Sequence, residues 1–478
     1  MDFTELYKQN LVDFSPDSRF ILSAFQHRLV LRNTSTFSIY QTWQIDASPS
    51  PTRALVSSTK EKDGATTVSH IGWSRDSEYI LAAVAKQGVV HVYKVQDVGW
   101  SARIESGTEG LVKAEWAPDG RTILCFSQWG LRVTIWTLST GLGTYIQYPL
   151  HPDAGYAFRS DGRYFVLAER HKSKDTLGVY DTEDAYKLVR HFPSPTASLA
   201  SLALSPTGNY IAVWEGPIEY KLHILSLAGN IQGSFCPDPD PGYGIRRVGW
   251  HPTGMFLAVG GWDEKVGLTL NETTLISSKI HILDLTWTVS AVLELSSRIP
   301  SNVNIWREPS KWQETTEGRG FLSYERVQGP HSISINRHDA TKAAPKSGVA
   351  QLEWNKNGSL LLVRFDNCPN VLHLYDFPTV EQEFRPRLRS VLLHSRPILH
   401  ARWNPVRNGS LAICCGSQAL YMWSDEWMGD HGEEEMAECI GVPAKTFATR
   451  DLRWAGDGKG VVLVDKEVFC SAFEVEDE

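Results

Sequence analysis

The 478-residue chain sets 47 Lys and Arg against 55 Asp and Glu, a formal net charge of −8, with 42% hydrophobic residues. That balance argues against non-specific binding to nucleic acid or anionic membrane, and the lack of an 18-residue apolar run argues against a transmembrane helix. The N-terminus, with Asp2, Glu5, Lys8 and Gln9 and no apolar stretch, does not read as a signal peptide.

In chain order, Asp2 to Lys8 is a short segment ahead of the first recognisable unit. That unit is an alternating strand ending in an aromatic residue, a tight Pro/Asp/Gly-type turn and a second apolar strand. It appears at Phe14 to Ser18, Trp73 to Ser77, Trp116 to Gly120 and Phe158 to Gly162. It returns at Leu204 to Gly208, Trp250 to Gly254, Trp354 to Gly358, the longer Trp403 to Gly409, and Trp454 to Gly458. Successive anchors lie 59, 43, 42, 46, 46, 104, 49 and 51 residues apart. In the clearest case, Val112, Ala114 and Trp116 alternate with Lys113 and Glu115, the period of two of a half-buried strand. Pro118 presets φ for a turn and Gly120 can take φ > 0.

Each turn is followed by an apolar strand, a polar turn, a third strand such as Val89 to Tyr93 or Val371 to Tyr375, and a less regular fourth. Four short strands repeated every 40 to 50 residues define a β-propeller blade. The expectation is an all-β, WD40-like propeller of about nine degenerate blades in one ring, spanning 1–478 as a single domain. After Trp454 only two strands remain, Val461 to Val464 and Val468 to Phe473, so the last blade lacks its outer strand. Asp2 to Lys8 is expected to supply it and close the sheet edge. The 17 Trp are expected to wedge between neighbouring blades.

Insertions are expected at 47–67, 267–278, 297–347 and 425–438. The first reads as an outer, mobile loop and the second as an extension of a turn inside the sixth blade. The third holds a hairpin around Phe321 to Ile335 and a linker-like Lys/Pro/Ala stretch. The fourth has seven acidic residues in fourteen and reads as a solvated loop. Arg385, Arg387 and Arg389 alternate along a strand and should line one exposed face. The seven cysteines form no C-x-x-C pair, and settings such as those of Cys125 and Cys470 point to reduced core thiols.

No G-x-S-x-G, P-loop, H-E-x-x-H or G-x-G-x-x-G pattern is present, and the histidines lack strong metal-ligand spacing. The expectation is no catalytic residue, no cofactor and no metal site. The lone Trp262-Asp263 dipeptide falls after a second strand. The position that closes a third strand is held instead by Tyr180-Asp181, Leu283-Asp284 and Tyr375-Asp376, so the repeats are degenerate.

Several stretches are more specific: Arg28 to Arg32, Leu131 to Trp136, Tyr145 to Pro149, Asp161 to Arg170 with Lys174-Asp175, Leu188 to Phe192, Ala212 to Trp214 and Glu219 to Lys221. Together these resemble the WD-repeat family of centrosomes and fungal spindle pole bodies known as WD repeat eight, or WRAP seventy-three. The resemblance covers most of the chain and is strongest between 100 and 265. It implies a non-enzymatic adaptor of the cytoplasmic cytoskeleton, at the microtubule-organising centre. Its implied partners are a coiled-coil microtubule-anchoring protein, a minus-end kinesin and the γ-tubulin complex, with neither nucleic acid nor membrane. Its implied task is to anchor microtubule minus ends and order the mitotic spindle.

The partner-binding candidates are residues that the blade pattern does not require. Glu169, Arg170 and Asp175 flank the turn after the second strand of blade four, and Trp214, Glu219, Tyr220 and Lys221 occupy the equivalent turn of blade five. Equivalent turns should open on one rim, and aromatic plus charged residues have hot-spot composition. Local salt bridges holding the rim are the alternative. A different class of function, a ribosome- or RNA-associated propeller resembling translation initiation factor two-A, would call for a basic groove or tail, whereas this chain ends in acidic Glu474 to Glu478.

Overall fold

The Pro/Asp/Gly turns set the architecture. In eight of them the last residue takes a positive φ of 61 to 81° (Ser18, Ser77, Gly120, Gly162, Gly208, Gly254, Gly358 and Gly458), which reverses the chain between the first and second strands of a blade. Six of these are glycine. Ser18 and Ser77 accept the strained conformation and use their side chains between blades: Ser18 Oγ accepts from the Asp457 amide at 2.9 Å and Ser77 Oγ from the Asp17 amide at 3.1 Å.

The computed structural model describes residues 1–9, 11–46, 67–238, 240, 242–262, 278–336, 347–378, 385–427 and 435–474. Among these the chain forms nine antiparallel blade sheets, a nine-bladed WD40-like β-propeller, and it divides into two compact units, 1–189 with 450–478 and 190–449.

The first unit contains blades one to three, most of blade four, and blade nine. Blade one runs Leu11–Phe14, Phe20–Phe25, Arg28–Asn33, Ile39–Gln44. Blade two runs His70–Trp73, Tyr79–Val84, Val89–Lys94, Ser101–Glu105, and blade three Lys113–Trp116, Thr122–Phe126, Arg132–Thr137, Leu142–Gln147. Blade four begins Tyr156–Phe158, Tyr164–His171, Lys174–Asp181. Blade nine is Asp451–Trp454, Gly460–Val464 and Val468–Phe473, and the N-terminal segment completes it as expected. Asp2 and Phe3 pair antiparallel with Phe473 and Ala472, and Tyr7 and Lys8 with Phe469 and Val468. Pairing residues this far apart in sequence satisfies an edge that would otherwise stay open.

The second unit contains blades five to eight. Blade five is Leu199–Leu204, Tyr210–Glu215, Leu222–Ser226, Ile231–Phe235, and blade six Ile245–Trp250, Leu257–Gly261, Lys279–Leu283, Val289–Glu294. Blade seven is Val349–Trp354, Leu360–Phe365, Val371–Asp376, Arg387–Leu393, and blade eight His400–Trp403, Ser410–Cys414, Ala419–Ser424, Met436–Gly441. The expected placement of tryptophans between blades is specific here. The anchor indoles of Trp250, Trp354 and Trp403 donate to the Ala203, Gly249 and Glu353 carbonyls of the preceding first strand, at 3.1 to 3.3 Å. In the first unit Trp116 does the same to Gly72 at 3.3 Å. The apolar ring fills the inter-blade core while its one polar atom is satisfied.

Four expectations are corrected. The insertion from 297 forms no hairpin around Phe321 to Ile335. Arg298–Ile299 pairs with His331–Ser332 as a separate two-stranded sheet, and the other strands join existing blades: Asn304–Arg307 pairs parallel with Ser390 to Leu393, Glu325–Val327 pairs onto it, and Phe321–Ser323 pairs beside the fourth strand of blade eight. Arg389 does not line an exposed face with Arg387. It donates to Glu435 at 2.8 Å and Asp376 at 3.2 Å, with Asp425 at 3.3 Å. Asp425 and Glu435 therefore leave the solvated loop. Glu435, 1% exposed, also accepts from the Trp306 indole at 2.8 Å and from Ser390 Oγ. All seven cysteines are free, and six are buried as expected, but Cys236 is exposed. Segments 47–66 and 263–277, which hold most of the first two expected insertions, lie outside the described residues, as do 337–346, 428–434 and 475–478.

Candidate protein-interaction site

Blade four carries a tight hairpin because Lys172 and Ser173 both adopt positive φ (50 and 66°), the two-residue turn that matches strand twist. The register sets Arg170 opposite Asp175 and Glu169 opposite Thr176. Arg170 Nε and a terminal nitrogen donate to the two Asp175 carboxylate oxygens at 2.7 and 3.1 Å, a bidentate fork on a carboxylate that is itself buried. This pairing raises the Arg170 guanidinium pKa against the opposing effect of burial. Glu169 is buried and accepts from the Tyr180 hydroxyl, while its other oxygen lies 2.8 Å from His171 Nε2. Burial first, and Glu169 second, push the Tyr180 phenol upward, so it stays a donor. Gly178 leaves the space that the Glu169 carboxylate fills.

In blade five, Trp214 belongs to the second strand and is buried. Tyr220 is 2% exposed, and its ring covers Gly261, where a Cβ would come within 2.7 Å of it. Its hydroxyl lies 3.2 Å from His281 Nδ1. Burial, then the Lys279 charge, lowers the His281 pKa to about 4, so the imidazole is neutral near pH 7. Glu219 and Lys221 are exposed and joined at 2.6 Å, while Ile218 beside them is 80% exposed.

Of the seven candidates, Glu169, Asp175, Trp214 and Tyr220 thus act inside the fold, and Arg170, Glu219 and Lys221 reach solvent. Sequence reasoning missed the residue that stands out most. Trp129 lies in the turn between the second and third strands of blade three, 91% exposed and at φ 62°, a left-handed conformation that Trp adopts rarely. The neighbouring backbone links that turn to the blade-four hairpin: Tyr148 N donates to the Leu131 carbonyl, and Arg170 N to the Tyr148 carbonyl, both at 2.9 Å. Tyr148 meets His171 edge-on at 5.5 Å. Trp129, Leu131, Tyr148 and Arg170 therefore form one accessible stretch within the first unit, with two exposed aromatics and an arginine. A signal was available: Trp129 sits between Gln128 and Gly130, in a turn where the blade pattern places no core residue.

Sheets of this type, stitched by aromatic anchors and presenting exposed turns, define a WD-repeat propeller of the protein-interaction class. The family model of the WD domain, G-beta repeat, matches residues 233–268. The chain is 31% identical to the mouse WD repeat-containing protein WRAP73 over 99% of its own length and 96% of that protein's, and it belongs to that family. An uncharacterised WD repeat-containing protein of Schizosaccharomyces pombe is 21% identical over 86% of this chain and 80% of its own. A crystal structure of a eukaryotic initiation factor superposes with a TM-score of 0.52, covering 92% of this chain and 93% of that one. At 10% identity that likeness shows the fold alone.

Proposed function

We propose that this protein is a non-enzymatic WD-repeat adaptor at the microtubule-organising centre, the spindle pole body or centrosome. It helps anchor microtubule minus ends and organise the mitotic spindle. It does so by binding a coiled-coil anchoring protein and a minus-end kinesin, with the γ-tubulin complex as a further partner. The observation that carries this reading is the full-length identity to mouse WRAP73, because a match spanning 99% of the chain includes loops and turns as well as the repeat pattern.

Docking uses exposed turns. In the first unit these are the Trp129 turn and the blade-four hairpin, where Arg170 reaches solvent while Asp175 positions it and Glu169 holds Tyr180 and His171 beneath. In the second unit it is the turn bearing Glu219 and Lys221, with Trp214 and Tyr220 forming its support. Aromatic side chains supply large contact area at low entropic cost and arginine adds multiple directed donors, which is why such residues dominate protein interfaces. The test is localisation of the fluorescently tagged full chain in dividing cells. Foci at the spindle poles support the adaptor reading. A diffuse or ribosome-associated signal with normal spindle poles in cells lacking the protein would overturn it.

A further inference from the structure

The turn that carries Trp129 is braced on both sides. Trp129 and Gly130 are consecutive left-handed residues, at φ 62 and 61°. Ser127 Oγ clamps the base of the turn, donating to the Arg132 carbonyl at 2.9 Å and accepting from the Arg132 amide at 2.8 Å. A Cβ on Gly130 would come within 2.8 Å of the Pro149 carbonyl oxygen, so the turn sits directly against the segment that leads into blade four. Holding a 91% exposed indole in a strained, braced turn does nothing for stability. Backbone strain of this kind persists where a site uses it.

The backbone beneath this stretch decides what can sit on it. Tyr148 is bonded on both sides: its amide donates to the Leu131 carbonyl and its carbonyl accepts from the Arg170 amide, both at 2.9 Å. Pro149 and Glu169 form an antiparallel bridge beside it. An extended peptide docks by adding to free N–H and C=O groups along a sheet edge, and here those groups are already used within the chain. The fitting occupant brings a backbone satisfied by its own hydrogen bonds, which is a helix.

Charge narrows the choice further. Glu169 and Asp175 are buried, Arg170 answers Asp175, and Glu109 is paired with Arg132. Lys172 at the hairpin tip and Lys174 just after it are exposed, and neither makes an ion pair among the described residues. The apolar stretch of Trp129, Leu131 and Tyr148 is therefore flanked by positive charge, which favours an acidic partner surface.

We propose that the Trp129 turn and the blade-four hairpin together receive an acidic amphipathic helix of a partner protein. Trp129, Leu131 and Tyr148 pack on its aliphatic stripe, and Lys172 and Lys174 face carboxylates on its flank. This rests on the reading of these two turns as docking turns, and not on where the protein localises.

The test places the photo-crosslinking residue p-benzoylphenylalanine at position 129 of the full chain in dividing cells and sequences the peptides it captures. The purified variant's melting temperature checks that it is folded. The expected captures are segments with aliphatic residues three and four apart and an excess of Asp and Glu. Lys172→Glu with Lys174→Glu lowers the yield roughly tenfold, while Lys172→Arg with Lys174→Arg keeps it. Basic or Pro-rich captured segments would overturn the proposal, as would equal yield from the charge-reversed pair. Spindle-pole foci with no capture would overturn this proposal alone and leave the adaptor reading standing. Capture of acidic helical segments in cells without such foci would keep the helix site and overturn the adaptor reading.

Discussion

The turn after the second strand exists on blade three and on blade five, and the two use aromatics in opposite ways. On blade five, Tyr220 folds back over Gly261 and meets His281, while Trp214 packs within the strand layer, so the turn is sealed from below. On blade three, Trp129 is held outward in a left-handed conformation and stays exposed. An aromatic in a loop is therefore not by itself a docking residue. What separates the two is whether a neighbouring strand provides a glycine to receive the ring.

The largest expected effect tests the sealed turn. Tyr220→Ala removes a fully enclosed ring and should cost about 3–5 kcal/mol, seen as a large fall in the urea midpoint. Acid should attack the same place. The His281 pKa is about 4 in the fold against 6.5 for an ordinary histidine, so the unfolded chain binds more protons between those values. The contribution is complete above pH 6.5 and is lost as pH falls towards 4, about 2 kcal/mol by pH 5. His373 and His394 are lowered to about 4 as well. The His281 share is therefore the part of the pH 7 to pH 5 fall in denaturant midpoint that His281→Gln removes. An unchanged fall in that variant would mean that His281 is not shielded.

The open turn should respond more weakly. Arg170→Ala strands the buried Asp175 carboxylate, but the half-exposed arginine admits water on leaving, so a loss of about 1–2 kcal/mol is expected in chemical denaturation. Trp129→Gly should leave stability unchanged or raise it by up to about 1 kcal/mol, because glycine relieves the left-handed strain. A clear destabilisation by Trp129→Gly would make that tryptophan structural and erase the contrast between the turns.

The nine blades were legible because each rests on local chemistry. In eight of the nine turns a residue at positive φ follows an Asp, Thr or Asn, and an apolar second strand comes next. The N-terminal closure was legible by counting strands. The strands of the 297 insertion were not, since Asn304–Arg307 and Phe321–Ser323 are too short to show a period and take their partners from Ser390 to Leu393 and Glu438 to Ile440. The site was half legible. The sequence marks Arg170, Asp175, Glu219 and Lys221 as extra charges, and two pairs form, Arg170 with Asp175 and Glu219 with Lys221. It gives no sign that Trp214 and Tyr220 are buried, because that depends on tertiary space such as the gap above Gly261. The Asp425 to Glu438 segment misleads for the same reason: Glu435 is one acidic residue among many until Arg389, Trp306 and Ser390 converge on it.

If the protein is a spindle-pole adaptor that docks through exposed turns, the measurement to make is quantitative mass spectrometry of proteins captured by the tagged full chain from mitotic cells, beside Trp129→Gly shown to be folded. The wild type should capture a coiled-coil anchoring protein and a minus-end kinesin, and the variant should lose them at least roughly tenfold. Ribosomal proteins in their place, or equal capture by the variant, would contradict that reading.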